Sequence, residues 1–281
     1  MSPELTDKLL ASGEELLGGK QSIATVLFSD VRSFTTITET LGAQGTVSLI
    51  NDYFTVMVDC IQNEGGMLDK FIGDAMMAIF GTPFPHEDDP DRGVRAAIEM
   101  MVQLKQFNER RVKQGLMTID HGMGLNTDSI VSGNIGSPKR MDYTVIGDGV
   151  NLAARLESAC KQYGARILIS ENTFNSLKAT YRTREIDRVI VKGKTEPVGV
   201  YEVMDYHDES SFPNMIEVLG HFNSGFKLFQ KGDFSSALKS FQEAQSANSE
   251  DKCSLMYIDR CQQLIKNPPK EWNGVWVLTS K

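Results

Sequence analysis

The chain has 281 residues, 41% of them hydrophobic, and a formal net charge of -8. That length allows one sizeable core plus a smaller unit. The acidity reads as ordinary solubility, and with no long basic run the chain does not look like a partner of nucleic acid.

No apolar run approaches the roughly 20 residues of a membrane span. Met1–Lys20 lacks the basic start and apolar core of a signal peptide. Cys60, Cys160, Cys253 and Cys261 show no C-x-x-C spacing and read as free thiols in a reducing compartment. The expectation is a soluble cytoplasmic protein, or the soluble part of a larger one.

Residues 1–19 form an amphipathic helical lead-in, with Leu5, Leu9, Leu10, Leu16 and Leu17 as its apolar positions. Ile23–Phe28 is apolar and β-prone, as suits a strand covered on both faces. Helices are expected over Ser33–Leu41 and Gly45–Ile61. Met67–Ile72 and Ala75–Phe80 flank Gly73-Asp74 and predict a hairpin with Asp74 at its turn. Asp89-Pro90-Asp91 opens a long helix to about Lys113, with Asp89 as N-cap. Thr118–Asn126 and Ser129–Asn134 read as two strands turning at Asn126-Thr127-Asp128. Gly149–Lys161 is helical and Gly164 its stop. Arg166–Ser170, Arg184–Val191 and Val198–Val203 are the last strands. The order βαββαβ predicts an α+β domain over residues 20–205, with helices packed on a mainly antiparallel sheet.

Residues 206–281 change character. Gly225, Gly232, Ala237 and Ala244 alternate with Phe234 and Phe241 in a pattern like one tetratricopeptide unit. A third helix follows over Asp251–Ile265 and stops at Pro268-Pro269. A single unit cannot form a solenoid, so it is expected to pack on the main domain or on a partner. Val275-Trp276-Val277-Leu278 is read as a short strand or an anchor.

The chemistry lies in five elements. Asp30 ends an apolar strand, and the backbone N–H groups that follow through Phe34-Thr35 open a helix that can hold phosphate oxygens. Asp74 sits in the hairpin turn. Two such carboxylates, brought together, would bind two divalent metals for a phosphoryl-type transfer. Lys70 lies four residues before Asp74. Asn151 and Arg155 share one helix face. Val191-Lys192-Gly193-Lys194 is a cationic turn. Taken singly, these are a turn residue, a solvated helix residue and a solvated loop; their joint order and spacing is what carries meaning.

Phe28-Ser-Asp-Val-Arg-Ser-Phe-Thr35, Asp69-Lys-Phe-Ile-Gly-Asp-Ala-Met-Met-Ala78, Tyr143-Thr-Val-Ile-Gly-Asp-Gly-Val-Asn-Leu-Ala-Ala-Arg-Leu-Glu157 and Val191-Lys-Gly-Lys194 together resemble the class III nucleotide cyclase catalytic domain. The likeness covers residues 20–205. It implies a ferredoxin-like βαββαβ core working as a head-to-tail homodimer. It further implies that Asp30 and Asp74, helped by the Val31 carbonyl, hold two Mg²⁺ or Mn²⁺ ions. One would activate the ribose 3′-hydroxyl and the other would neutralise the leaving pyrophosphate. Asn151 would orient the ribose, Arg155 would stabilise charge on the α-phosphate, and Lys194 or Lys192 would pair with the terminal phosphates. The metal aspartates would come from one subunit, and Lys70, Thr144, Asn151 and Arg155 from the other.

Base choice follows from donor and acceptor chemistry. Lys70 only donates and suits adenine N1, while Thr144 can accept from the N6 amine. In the family Lys at the Lys70 position marks adenylyl cyclases and Glu marks guanylyl cyclases. ATP is therefore the expected substrate and cyclic AMP the product. Ser33 stands where the family frequently has Gly, a change expected to alter only the loop. Thr144 replaces a frequent Asp, which resembles the bicarbonate-responsive soluble type and raises bicarbonate stimulation as a hypothesis. The rivals are a guanylyl cyclase, a diguanylate cyclase (no Gly-Gly-Asp/Glu-Glu-Phe signature occurs) and a non-catalytic nucleotide-binding module, which would lack a metal Asp, the Asn or the Arg. Pro85-His86-Glu87-Asp88-Asp89 reads as a loop and helix start rather than a metal cluster.

Overall fold

Strand β1 (Lys20–Val31) is longer than the Ile23–Phe28 run that announces it. Its residues 24–27 are all buried, odd and even alike, because both faces of the strand are covered, Ala24 and Val26 packing with Ala153 and Thr25 lying against Gly93. The computed structural model describes residues 19–137, 139–189 and 197–275. The lead-in up to residue 18, the turn carrying Lys192 and Lys194, and residues 276–278 of the terminal apolar segment lie outside them.

After β1 come α1 (Phe34–Asn63), β2 (Met67–Ile72), β3 (Ala75–Phe80), α2 (Asp89–Lys113), β4 (His121–Ser137), β5 (Arg140–Ile146), α3 (Asp148–Tyr163), β6 (Ile167–Ser170), α4 (Glu171–Ser176), β7 (Thr183–Val189), β8 (Val198–Val203), α5 (Met215–Gln230), α6 (Phe234–Ala247) and α7 (Lys252–Lys266). The fold is α+β, with antiparallel pairing. Two compact units result, Met1–Ser158 with Asn172–Thr180, and Ala159–Glu171 with Tyr181–Lys281.

In the first unit the strands run β2-β3-β1-β4-β5. Ala24, Val26, Met77, Ile79 and Ile130 pack under Ala153 of α3. A side chain at Gly124 would collide with the α3 backbone at Ala153 and Glu157, so the glycine lets that helix lie directly on β4. Leu125, one residue on, points the other way, toward Gly93 of α2. α1 breaks at Gly42, at φ 67°, which separates the two helical stretches expected there.

Two sequence expectations are corrected, and two elements are added. Asn126-Thr127-Asp128 does not turn: β4 runs through it, paired with β1 from His121 to Ser132. Thr127 Oγ1 lies 2.8 Å from Thr25 Oγ1, and Asn126 Nδ2 donates to the Gly149 carbonyl at 2.8 Å. Cross-strand and helix contacts thus override the turn preference of the residue types. The N-cap of α2 is Asp88; Asp89 instead lies inside the first turn. β5 and α4 are elements the hydrophobic pattern did not announce.

In the second unit β6, β8 and β7 pair antiparallel in that order. α5–α7 pack on this hairpin through charge as well as apolar surface. The Arg184 guanidinium grips Asp251, the N-cap of α7, through two bonds of 2.8 Å, and donates to Glu202 at 2.7 Å. Phe222 covers the guanidinium, its ring centroid 4.7 Å away. Arg260 of α7 reaches Asp187 of β7 at 2.8 Å, and Tyr257 donates to the Ile186 carbonyl at 2.7 Å.

Candidate active site

The antiparallel register builds the carboxylate pair. Ser29 faces Met76, so two residues on Val31 comes opposite Asp74 in the β2–β3 turn. Gly73, at φ 67°, takes the first central position of that two-residue turn, where a type II′ hairpin wants glycine. Asp74 accepts from the Val31 backbone N–H and lies within hydrogen-bonding reach of Asp30. Burial and the Asp30 charge push the Asp74 carboxyl up to about 6. Two hard oxygen donors forced together, beside the Val31 carbonyl, fit a divalent cation such as Mg²⁺ or Mn²⁺. Beneath them the buried Tyr53 hydroxyl bonds His121 Nδ1 at 2.7 Å; burial and the nearby aspartates push the Tyr53 phenol up.

Ser33 caps α1 in the left-handed region, at φ 56°. This explains the glycine that the family often places there. Ile37 N–H makes the first helical bond, to Ser33 O. The N–H groups of Phe34 and Thr35 thus fall in the turn that a helix leaves without internal partners. The first turn holds no acidic side chain to repel phosphate.

Lys70 and Thr144, 74 positions apart in the sequence, are brought together by a residue the sequence reading passed over. Asp69 Oδ2 accepts from Thr144 Oγ1 at 2.9 Å and lies 3.3 Å from Lys70 Nζ. The Asp69 side chain is 1% exposed, against 44% for Lys70. Burial raises the Asp69 carboxyl, opposed by Thr144 and Lys70. The signal available was the acidic neighbour of Lys70, but strand alternation would place that neighbour on the opposite face.

Asn151 and Arg155 are exposed on one face of α3. Their helix is tied to the end of β1 by Arg32, which lies 3.2 Å from Glu157 Oε1. Burial, and the Asp30 and Asp74 charges against Arg32, leave the Glu157 carboxyl at about 7. At the start of α2 the His86 N–H donates to Asp89 Oδ2 at 2.6 Å, a loop closure as expected. Among the described residues no group of three or more His, Cys, Asp or Glu is arranged for a metal ion. A cleft of about 680 Å³ along α2, lined by Met101, Leu104 and Val112, contains none of the candidate residues.

The family model described as "Adenylate and Guanylate cyclase catalytic domain" matches residues 19–205. The chain belongs to this family. Among curated relatives it is 36% identical over 248 residues to "Adenylate cyclase, terminal-differentiation specific" of Dictyostelium discoideum, covering 86% of this chain and 11% of that protein. The match is longer than the cyclase domain and so runs into the residues beyond 205. The chain spans about a tenth to about a third of the length of the curated relatives it matches. Among solved structures it resembles the adenylyl cyclase CyaB from P. aeruginosa, with 37% identity, a TM-score of 0.62, and coverage of 67% of this chain and 97% of that one. It equally resembles the guanylyl cyclase Cya2, with 37% identity, a TM-score of 0.60, and coverage of 66% and 94%. Overall likeness to cyclases therefore does not choose between the two bases; the residues at the base subsite have to. No described helix is long and apolar enough to cross a membrane.

Proposed function

We propose that residues 20–205 are an adenylyl cyclase catalytic domain converting ATP to 3′,5′-cyclic AMP and pyrophosphate. The observation that carries this reading is the Lys70–Thr144 pair, held side by side through Asp69. A fixed ammonium donor and a hydroxyl acceptor match N1 and the N6 amine of adenine; guanine presents the opposite pattern.

Asp30 and Asp74, with the Val31 carbonyl, hold two Mg²⁺ or Mn²⁺ ions. When bound, such ions supply Lewis-acid activation of the 3′-hydroxyl and neutralise the leaving group. The N–H groups of Phe34 and Thr35 bind phosphate oxygens at the positive end of α1. Asn151 orients the ribose, and Arg155 stabilises charge developing on the α-phosphate. Lys192 or Lys194 pairs with the terminal phosphates.

The working unit is a homodimer with shared sites. Asn151, Arg155 and Lys70 are exposed in the single chain, and Phe71, Ile72 and Ile146 around them are 46%, 50% and 52% exposed. Such a mixed face is what a second copy would cover. Bicarbonate stimulation is proposed on Thr144. The residues beyond 205 are proposed as a helical extension with its own role.

The test is a product assay on purified dimer with Mg²⁺ or Mn²⁺, offering ATP and GTP separately. Cyclic AMP from ATP supports the reading. Cyclic GMP alone means the base argument is wrong, and no product from folded dimer means a nucleotide-binding module.

A further inference from the structure

Adjacent residues of a strand point to opposite faces, yet Asp69 and Lys70 act on one another. The reason is a β-bulge. Leu68 faces Ala78 and Lys70 faces Met77, so Asp69 is the extra residue of β2. The bulge places the carboxylate on the side where Lys70 Nζ and Thr144 Oγ1 both reach Oδ2. Its other oxygen, Oδ1, is buried and finds no hydrogen-bond partner among the described residues. Within them the carboxylate therefore serves Lys70 and Thr144.

A threonine hydroxyl has one proton and two lone pairs, and on its own can donate or accept. An ionised carboxylate can only accept. We propose that Asp69 determines base specificity by position, taking the Thr144 proton and one Lys70 proton so that Thr144 meets the base as an acceptor only. The N6 amine of adenine then finds a lone pair. The O6 of guanine or hypoxanthine meets a lone pair as well, and its N1–H meets the Lys70 ammonium. An Asn at position 69 offers Thr144 an amide N–H as well as an oxygen, so the hydroxyl is no longer held to one role and can donate to O6. The bulge is thus a specificity device: it converts an ambidextrous side chain into a one-way reader. This rests on the adenylyl cyclase reading above.

The experiment compares kcat/KM for ATP and inosine triphosphate, which differ at N1 and position 6 alone, in wild type and Asp69→Asn. A wild type that does not favour ATP overturns the adenylyl cyclase reading itself, whatever the variant does. With an ATP-selective wild type, the expected result is a fall of roughly tenfold or more in the ATP/ITP ratio of Asp69→Asn, with ITP turnover holding or rising. A loss for both substrates in equal proportion is what a structural role gives, and overturns the proposal. Should Asp69→Asn fail to fold, Thr144→Val decides. An obligate acceptor predicts that its ratio falls by the same order, and an unchanged ratio overturns the proposal. In the foldable case Asp69→Asn added to Thr144→Val should lower the ratio no further at the position-6 contact, since Asp69 acts there through the hydroxyl.

Discussion

Metal binding should depend on pH through Asp74. Its carboxyl sits at about 6 because it is partly buried beside Asp30. A cation has to displace the proton, so affinity follows the ionised fraction. That fraction is about nine-tenths at pH 7 and about one-tenth at pH 5. The apparent Mn²⁺ affinity of the nucleotide-free protein should fall about tenfold between those pH values, or about 1.4 kcal/mol. Near pH 6 binding should release about half a proton per site. Titration calorimetry in buffers of different ionisation enthalpy reads both quantities. Stability has the opposite sign. The folded carboxyl keeps a proton that an unfolded Asp, at 3.8, has lost. The metal-free fold therefore loses stability as pH rises from about 4 to about 6. Asp74→Asn should melt above wild type at pH 7.5 without metal, narrow that lead toward pH 4, and make no product. An affinity flat from pH 7 to 5, with no proton released at pH 6, would refute the crowded-carboxylate account.

Shared sites predict complementation. Asp74→Ala and Arg155→Ala chains, each inactive alone, should recover about a quarter of wild-type activity when mixed equally, because half the dimers carry one intact site. No recovery from demonstrated mixed dimers would sink that arrangement. Arg184→Met leaves Glu202 and Asp251 buried without their cation. It should cost about 3–5 kcal/mol in a urea melt at pH 7.5, and less at pH 5 as Glu202, already raised by burial, takes a proton. A loss below about 1 kcal/mol would show the triad to be dispensable. At fixed pH and ionic strength, bicarbonate should raise the cyclisation rate over a chloride control, and Thr144→Asp should weaken the response; an unchanged wild-type rate removes the hypothesis.

Much of the site could be read from the sequence because its parts are local. Gly73-Asp74 announces its own hairpin, and Asn151 and Arg155 announce their shared face by a spacing of four. What stayed hidden depends on contacts between distant segments. Asn126-Thr127-Asp128 looks like a turn until Thr25 and Gly149 are placed beside it. Asp69 looks like the outward neighbour of Lys70 until the bulge turns it inward. Arg32 and Glu157 are only charges in a motif until β1 and α3 meet. A bulge and a cross-element ion pair leave no period in the sequence, so pattern reading passes over them.

The helices after residue 205 bear on where this protein can be cut. The family match stops at 205, but the cation at Arg184 is neutralised partly by Asp251, and Asp187 by Arg260. A chain trimmed to the family's edge would keep β7 and β8, and Glu202 beside Arg184, while losing Asp251 and Arg260. The evolutionary edge and the folding edge are therefore different places. In sequence Lys192 and Lys194 fall in the connection between those same two strands. β7 and β8 depend for two of their ion pairs on residues that the family match leaves out, and α7 belongs to their folding unit rather than being an appendage to it.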